Sequence, residues 1–321
     1  MAVFTPVTVD EAAEWARRHF NIAGAAALSP IAEGIENTNY LFRAGKNRYV
    51  LTIFEVWDAK MADYYAKLMR HLSAVGAPAP APLSPADDKG MRWGDKPALL
   101  VPFVEGEWRQ NPAPEECEHM GEASANLHMA AADFMPQMPN PRNAAWRRET
   151  AQKIRPHLTS ATWRVIEKAL DEDAEFDRLP LPAGACHCDL FRNNVLWRDG
   201  EISGVIDFYF GGDDALIFDL AVCACDWCFC EKEDGEGDFD DERTAALLRG
   251  YQRRRLFCDL EREQFGSALR SAALRFWISR LYDVYFPRRA EILKPHDPRR
   301  FENIYMRARE YSPPGINYNE H

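Results

Sequence analysis

The sequence predicts an α+β protein of two lobes: a small antiparallel-sheet lobe over residues 1–100, a hinge over 101–106, and a mainly helical lobe over 107–321. Three observations carry this. The chain is 321 residues long, more than one core normally takes, and 46% hydrophobic residues with 12% aromatics can fill two, with a cleft expected between them. Residues 31–54 alternate apolar and polar side chains in the manner of antiparallel strands. From residue 115 onward most periodic segments repeat at helical spacing.

In chain order, residues 9–20 read as an N-terminal helix, and the strands of 31–54 turn at Ala44-Gly45-Lys46-Asn47. Residues 59–75 read as a helix that Gly76 ends, and a proline-rich run over 78–85 then interrupts regular structure. The apolar run 97–104 reads as a strand, with Glu105-Gly106 closing the hinge. Helices are expected over 115–132, 162–176, 220–230, 241–255 and 261–285. Asp219 is a candidate N-cap of the third of these.

Composition bounds the function. A net charge of −11 argues against nucleic acid or an anionic membrane as partner, while leaving room for a nucleotide that arrives with a cation. No run approaches the roughly eighteen apolar residues of a spanning helix, and Met1-Ala2-Val3-Phe4-Thr5-Pro6 lacks the pattern of an export signal, so a cytoplasmic protein is expected. The eight cysteines are then expected as free thiols. Cys223, Cys225, Cys228 and Cys230 could suggest zinc, but at about 100° per residue a helix splits them into two opposed pairs that cannot close one tetrahedron.

The chemistry is concentrated in His187-Cys188-Asp189-Leu190-Phe191-Arg192-Asn193-Asn194 and in Val205-Ile206-Asp207-Phe208. An Asp that takes a hydroxyl proton, an Asn five residues later that holds Mg²⁺, and a second metal-binding Asp further on make up a phosphoryl-transfer loop. Asp189, Asn194 and Asp207 fit those roles. Between them, 195–198 and 201–206 read as two short strands around Asp199-Gly200. That register pairs Arg198 with Glu201 and sets Asn194 roughly across from Val205, so both oxygen ligands reach one place. Mg²⁺ favours hard oxygen donors and takes few from the protein, so one amide and one carboxylate suffice. A hydrolase using Cys186 or Cys188 with His187 as base fails because adjacent side chains on an extended loop point apart.

The chain resembles the aminoglycoside-phosphotransferase/choline-kinase superfamily, which has a protein-kinase-like fold, and within it the bacterial homoserine kinases. The resemblance runs nearly end to end. It is carried by residues 32–40, Tyr49-Val50-Leu51-Thr52-Ile53-Phe54-Glu55, 186–194, Ile206-Asp207-Phe208-Tyr209, Asp226-Trp227-Cys228 and 273–282. It implies ATP- and Mg²⁺-dependent phosphorylation of the L-homoserine hydroxyl, on the route to threonine. By position it makes Asp189 the base, His187 a loop organiser, and Asn194 and Asp207 the metal ligands, and it implies that Asp219 is a buried brace under the catalytic loop, a role compatible with capping. Gly34 and Asn37 would cover the phosphates, with Val50, Thr52, Val101 and Phe103 also contacting ATP.

One departure stands out. The lysine and glutamate that such folds use to grip the α- and β-phosphates are both missing, with Thr52 at the lysine position and Tyr65 at the glutamate's. Losing both partners together leaves no orphaned charge, as expected of an adapted site. Arg43, Lys46 and Arg48 are candidates to supply phosphate charge instead. For the acceptor, an ammonium asks for Asp226 and a carboxylate for the guanidinium of Arg275 or Arg280, with Tyr209 lining the site. Arg275 and Arg280 stand about 140° apart on a helix, so only one of them is expected to face the cleft. Alternatives left open are other small alcohols, such as choline, ethanolamine or methylthioribose, and a nucleotide-binding pseudokinase.

Overall fold

The computed structural model describes residues 4–31, 36–232, 236–287 and 296–316. These fall into two compact units, the first ending at Glu105 and the second starting at Gly106.

The first unit is a five-stranded sheet with two helices. Helix α1 (Val9–Phe20) opens with a capping box in which Thr8 and Glu11 satisfy each other's backbone N–H groups. The sheet has the order β1 (Ala26–Pro30), β2 (Thr38–Ala44), β3 (Asn47–Ile53), β5 (Lys96–Pro102), β4 (Arg92–Trp93), antiparallel throughout. The β2–β3 hairpin closes at Gly45, which takes φ 59°, and pairs Ala44 with Asn47 as the turn residues predict. Ala12 and Ala16 of α1 pack on Tyr40, Phe42, Leu51, Ile53 and Leu100, and helix α2 (Ala59–Ala74) contacts β5 and buries Tyr64, Tyr65, Leu68 and Leu72. Strand β1 lies upstream of the predicted stretch, and residues 32–35 lie outside the described residues.

The second unit is mainly helical: α3 (Pro114–Ala130), α4 (Ala144–Ile154), α5 (Ser160–Phe176), α6 (Leu216–Trp227), α7 (Asp241–Gln252), α8 (Asp259–Tyr285) and α9 (Arg299–Ala308). Three two-stranded ribbons punctuate it. Strand β6 (Ala183–Cys186) pairs with β9 (Gly212–Ala215), β7 (Val195–Arg198) with β8 (Glu201–Val205), and β10 (Phe229–Glu231) with β11 (Gly237–Phe239). Helices α3 and α7 approach so closely that a Cβ on Gly121 would meet Leu247 O at 2.0 Å and one on Gly250 would meet Glu118 O at 2.0 Å. That approach brings His128 of α3 to the Tyr251 hydroxyl, 2.8 Å away.

The helix expected over 220–230 begins four residues earlier and stops at Trp227. Asp219 therefore lies in its first turn and Ala215 occupies the cap. Cys228 ends the helix and Cys230 belongs to β10, so the four thiols do not share one helix as the zinc argument assumed. All eight cysteines are free.

Candidate active site

The site grows from a strand, a loop and a hairpin. After β6, residues 187–191 run as a loop into a short 3₁₀ turn, Arg192–Asn194, and then into β7. The β7–β8 hairpin turns on Asp199 (φ 52°) and Gly200 (φ 85°), the two successive positive angles of a type I′ turn. Arg198 pairs with Glu201 as predicted, but Ser203 bulges out, so that Leu196 faces Gly204 and Val195 faces Val205. The slip is one residue. Asn194 thus lies opposite Ile206 rather than Val205, and its carbonyl accepts from the Ile206 N–H (2.9 Å), one residue from Asp207.

Asn194 and Asp189 touch. The Asn194 amide donates to the main-chain carbonyl of Asp189 (2.7 Å) and to its carboxylate Oδ2 (3.0 Å). With both N–H bonds directed there, the amide's remaining polar atom is the acceptor Oδ1, the hard oxygen a magnesium ion takes. Asp207 adopts φ 62°, a left-handed conformation that is uncommon for a residue with a side chain. An amide oxygen and a carboxylate at two ends of one hairpin fit a divalent ion.

His187 ties the two ends together. Its Nδ1 accepts from the Asp189 N–H (3.2 Å), so the proton sits on Nε2, which donates to the Ile206 carbonyl (2.9 Å). Burial also pushes the imidazole pKa down, against the pull of Asp219 and Asp189, which favours this neutral tautomer. The ring packs on Phe208 at 4.5 Å. His187 thus bonds the Asp189 N–H on one side and the Ile206 carbonyl on the other.

Beneath the loop lies Asp219, which is 1% exposed. It accepts from the backbone N–H groups of His187 (3.0 Å) and Cys188 (2.7 Å) and from His128 Nε2 (2.9 Å), whose Nδ1 accepts from the Tyr251 hydroxyl (2.8 Å). Burial raises its pKa, but His128 and the loop donors outweigh this and hold it below the usual carboxylate value. The bond to Cys188 matters because that residue takes φ 61°. Of the two roles open to Asp219, the structure gives the brace. His128, Cys186 and Asp219 are the one cluster of three His, Cys, Asp or Glu ligand atoms among the described residues, and the two histidine nitrogens and both Asp219 oxygens are already hydrogen-bonded, so it does not fit a metal ion.

Asp189 is half-buried, and the atoms around it raise its pKa against the opposing charge of Arg275 and His187 and the Asn194 hydrogen bond. Arg275 is 3% exposed, 3.6 Å over the Phe276 ring and 5.0 Å from that of Phe210. Of the two candidate arginines it is the one whose charge acts most on Asp189. Tyr209 is buried two residues past Asp207. Arg280 lies at the far end of α8, over Phe301 at 4.5 Å. Asp226 is occupied: Oδ2 accepts from the backbone N–H of Arg192 (2.8 Å) and its Nε (3.0 Å), and Oδ1 from Arg300 (2.9 Å). Burial raises its pKa and the two guanidinium groups more than offset this, holding it low.

In the first unit, Thr52 is 1% exposed on β3 and donates to Asn39 Oδ1 (2.8 Å) on β2. Tyr65 is wholly buried beside Phe54 and Tyr64. Val50 pairs with Val101 across β3 and β5. Arg48 lies over the Phe103 ring at 4.6 Å and pairs with Glu105, so its charge is already matched. The Asn37 Oδ1 is buried without a hydrogen-bond partner among the described residues. Gly34 lies outside them. This unit holds a lysine–glutamate pair elsewhere, between Lys96 and Glu55, buttressed by Thr5 and Thr38.

Sequence reasoning missed Arg192 and Arg300. The first lay inside the quoted motif without a role, and the second lies on α9, whose apolar residues Phe301, Ile304, Tyr305 and Ala308 follow the spacing of a buried helix face.

The profile of the phosphotransferase enzyme family matches residues 27–257. A homoserine kinase of Burkholderia cenocepacia (strain HI2424) is 42% identical over 98% of this chain and 97% of its own. One of Burkholderia ambifaria (strain AMMD) is 41% identical over 98% of each. Among solved structures, an amicoumacin kinase in complex with AMP-PNP, Ca²⁺ and Ami superposes with TM-score 0.65 at 17% identity, over 92% of this chain and 90% of that one. A choline kinase of Cryptosporidium parvum Iowa II gives 0.61 at 14%, over 89% of each. At such identities the likeness is one of fold, and the fold is kinase-like.

Proposed function

The chain belongs to the phosphotransferase enzyme family and is a small-molecule kinase, and we propose that it transfers the γ-phosphoryl group of ATP to the hydroxyl of L-homoserine. The observation that carries this is the contact between Asp189 and Asn194, which joins a base to a metal ligand in a chain alike from end to end to homoserine kinases.

In this reading the homoserine hydroxyl attacks the γ-phosphorus, the bond to the β–γ bridging oxygen of ATP breaks, and ADP leaves with O-phospho-L-homoserine, an intermediate on the route to threonine. Asp189 orients the hydroxyl and takes its proton late in the step, since a free alcohol is too weak an acid to ionise first; such help is typically worth about 10²- to 10⁴-fold. Asn194 and Asp207 would hold a divalent ion, Mg²⁺ in this reading, which when bound would neutralise charge on the phosphates. His187 and Asp219 keep Asp189 in place by fixing the backbone that leads into it, through the N–H groups of residues 187, 188 and 189.

Asn37, Val50, Thr52, Val101 and Phe103, with Gly34, hold the nucleotide. No charged residue stands at position 52, so the charge of the phosphates would be met by the metal ion, by backbone donors, or by Arg43 and Lys46 of the β2–β3 hairpin. Arg275, Arg280 and Tyr209 serve the acceptor, while Asp226 acts on it through Arg192 and Arg300.

Coupled ADP release with Mg²⁺-ATP across homoserine, serine, threonine, choline and methylthioribose tests the proposal. Turnover confined to homoserine supports it. Turnover on choline or methylthioribose with none on homoserine overturns the choice of acceptor, and ATP binding without any turnover favours a pseudokinase. No helix of the described residues is long and apolar enough to cross a membrane.

A further inference from the structure

Among the described residues three guanidinium groups, that of Arg192 in the loop after Asp189 and those of Arg280 and Arg300 around Phe301, meet two carboxylates. Asp226 pairs with both Arg192 (3.0 Å) and Arg300 (2.9 Å), and Glu231 reaches Arg300 Nε at 3.2 Å. Arg280 has no carboxylate partner among the described residues, and its Nη1 donates to the main-chain carbonyl of Asp297 (3.0 Å). The Nη2 of Arg300 is buried without a hydrogen-bond partner among the described residues.

An aromatic stack holds these groups together. Phe191, two residues past Asp189, lies 4.5 Å from Phe276 of α8, which lies 4.9 Å from Phe301 of α9. The guanidinium groups of Arg280 and Arg300 lie 4.5 Å and 5.6 Å from the centre of the same Phe301 ring. Both cations are therefore fixed on one rigid element that also touches the catalytic loop.

A cation removed from water without a counter-charge is costly, and two beside each other more so. The cost is visible here: burial and the like charge of Arg300 push the Arg280 pKa down to about 10, and His296 beside them is lowered too. Such a cluster is relieved by an anion. Among the described residues one guanidinium of the three, that of Arg280, is left without a carboxylate contact, which matches a single carboxylate and falls short of a polyphosphate.

We infer that Arg280 and Arg300 form a guanidinium fork that holds the carboxylate of the acceptor amino acid while Asp189 faces its hydroxyl. This rests on the reading of the chain as a homoserine kinase and deepens it. It assigns the acceptor's acid group to two residues from different helices, and it makes the carboxylate the feature that separates homoserine from choline or ethanolamine. Paired arginine forks suit a carboxylate by geometry as well as charge.

The test compares L-homoserine with L-homoserine amide and 3-aminopropan-1-ol, which keep the amine and the alcohol and lack the negative charge. With wild-type protein, kcat/KM should fall at least 100-fold on either analogue, total loss of turnover included. Arg280→Gln should raise KM for homoserine roughly 10- to 100-fold, the worth of a charged hydrogen bond, with KM for ATP within threefold of wild type. Arg280→Lys, which keeps the charge and loses the fork, should fall between.

Analogues used as well as homoserine by the wild type, a measurement that needs no variant to fold, would overturn the fork. So would a homoserine KM within threefold of wild type in Arg280→Gln, or a rise in the ATP KM instead. A wild type that turns over other alcohols and ignores homoserine would sink the acceptor assignment itself, a result distinct from any of these.

Discussion

The side-chain amide of Asn194 donates to both the carbonyl and the carboxylate of Asp189, at 2.7 and 3.0 Å. This fixes which way the amide points, aims its oxygen away from Asp189, and joins the proposed base to a proposed metal ligand. The loop also takes two left-handed backbone angles, at Cys188 (φ 61°) and Asp207 (φ 62°), which residues with side chains adopt at a cost.

Asp189→Asn should lower kcat by about 10²- to 10⁴-fold with little change in the KM for ATP. It should also be no less stable at neutral pH. The Asp189 pKa is raised, so the fold favours its protonated form; that contribution is present below the ordinary carboxylate pKa and lost as pH rises through the raised value. At neutral pH the ionised side chain is a burden that asparagine removes. A variant that keeps most of its kcat, or that unfolds at clearly lower urea concentration, would count against the base assignment or its electrostatics.

Asp219 behaves in the opposite sense. Its pKa is lowered, so its contribution is present above the ordinary carboxylate pKa and lost as pH falls through the lowered value. Asp219→Ala strands two backbone N–H groups and His128, and should cost about 3–5 kcal/mol in urea unfolding at pH 7. Equal unfolding midpoints for variant and wild type would show that the brace carries no stability.

Thr52→Lys restores the residue that kinase-like folds use, yet it should not restore its function. The site is 1% exposed, Thr52 is tied to Asn39, and the glutamate that would pair with a lysine is replaced by the buried Tyr65. An unpaired lysine there should lower stability by several kcal/mol and leave the KM for ATP no better. Tighter ATP binding in that variant would show the lysine position to be vacant rather than rebuilt.

Thiol chemistry should be confined to Cys258, the one exposed cysteine. Cys188 is buried, and burial pushes its thiol up to about 11, so almost no thiolate forms near pH 7. Titration with a maleimide should show one fast thiol that Cys258→Ser removes, with kinase activity intact after it reacts. Rapid loss of activity together with modification of Cys188 would contradict this placement.

Local chemistry was legible in the sequence and long-range pairing was not. The Asp199-Gly200 hairpin and the Gly45 turn follow from residues that tolerate positive φ, and both stand where their dipeptides put them. The bulge at Ser203 has no local signature. It arises where Trp197 donates its N–H to the Glu107 carbonyl and accepts from the Glu107 N–H on the hairpin's other edge, both at 2.9 Å. Asp219 resembled a cap because carboxylates suit helix starts, but its partners are His128 and the loop at 187–188, far apart in sequence. Asp226 likewise could be read as facing an ammonium, because its partners Arg192 and Arg300 come from a loop and a distant helix.

The most direct test is ADP release by wild type and Asp189→Asn with Mg²⁺-ATP and L-homoserine, alongside choline and methylthioribose. The account predicts strong turnover by the wild type on homoserine alone, falling by at least 100-fold in Asp189→Asn while ATP still binds. Turnover on homoserine that survives the loss of Asp189, or none by the wild type on homoserine, would contradict it.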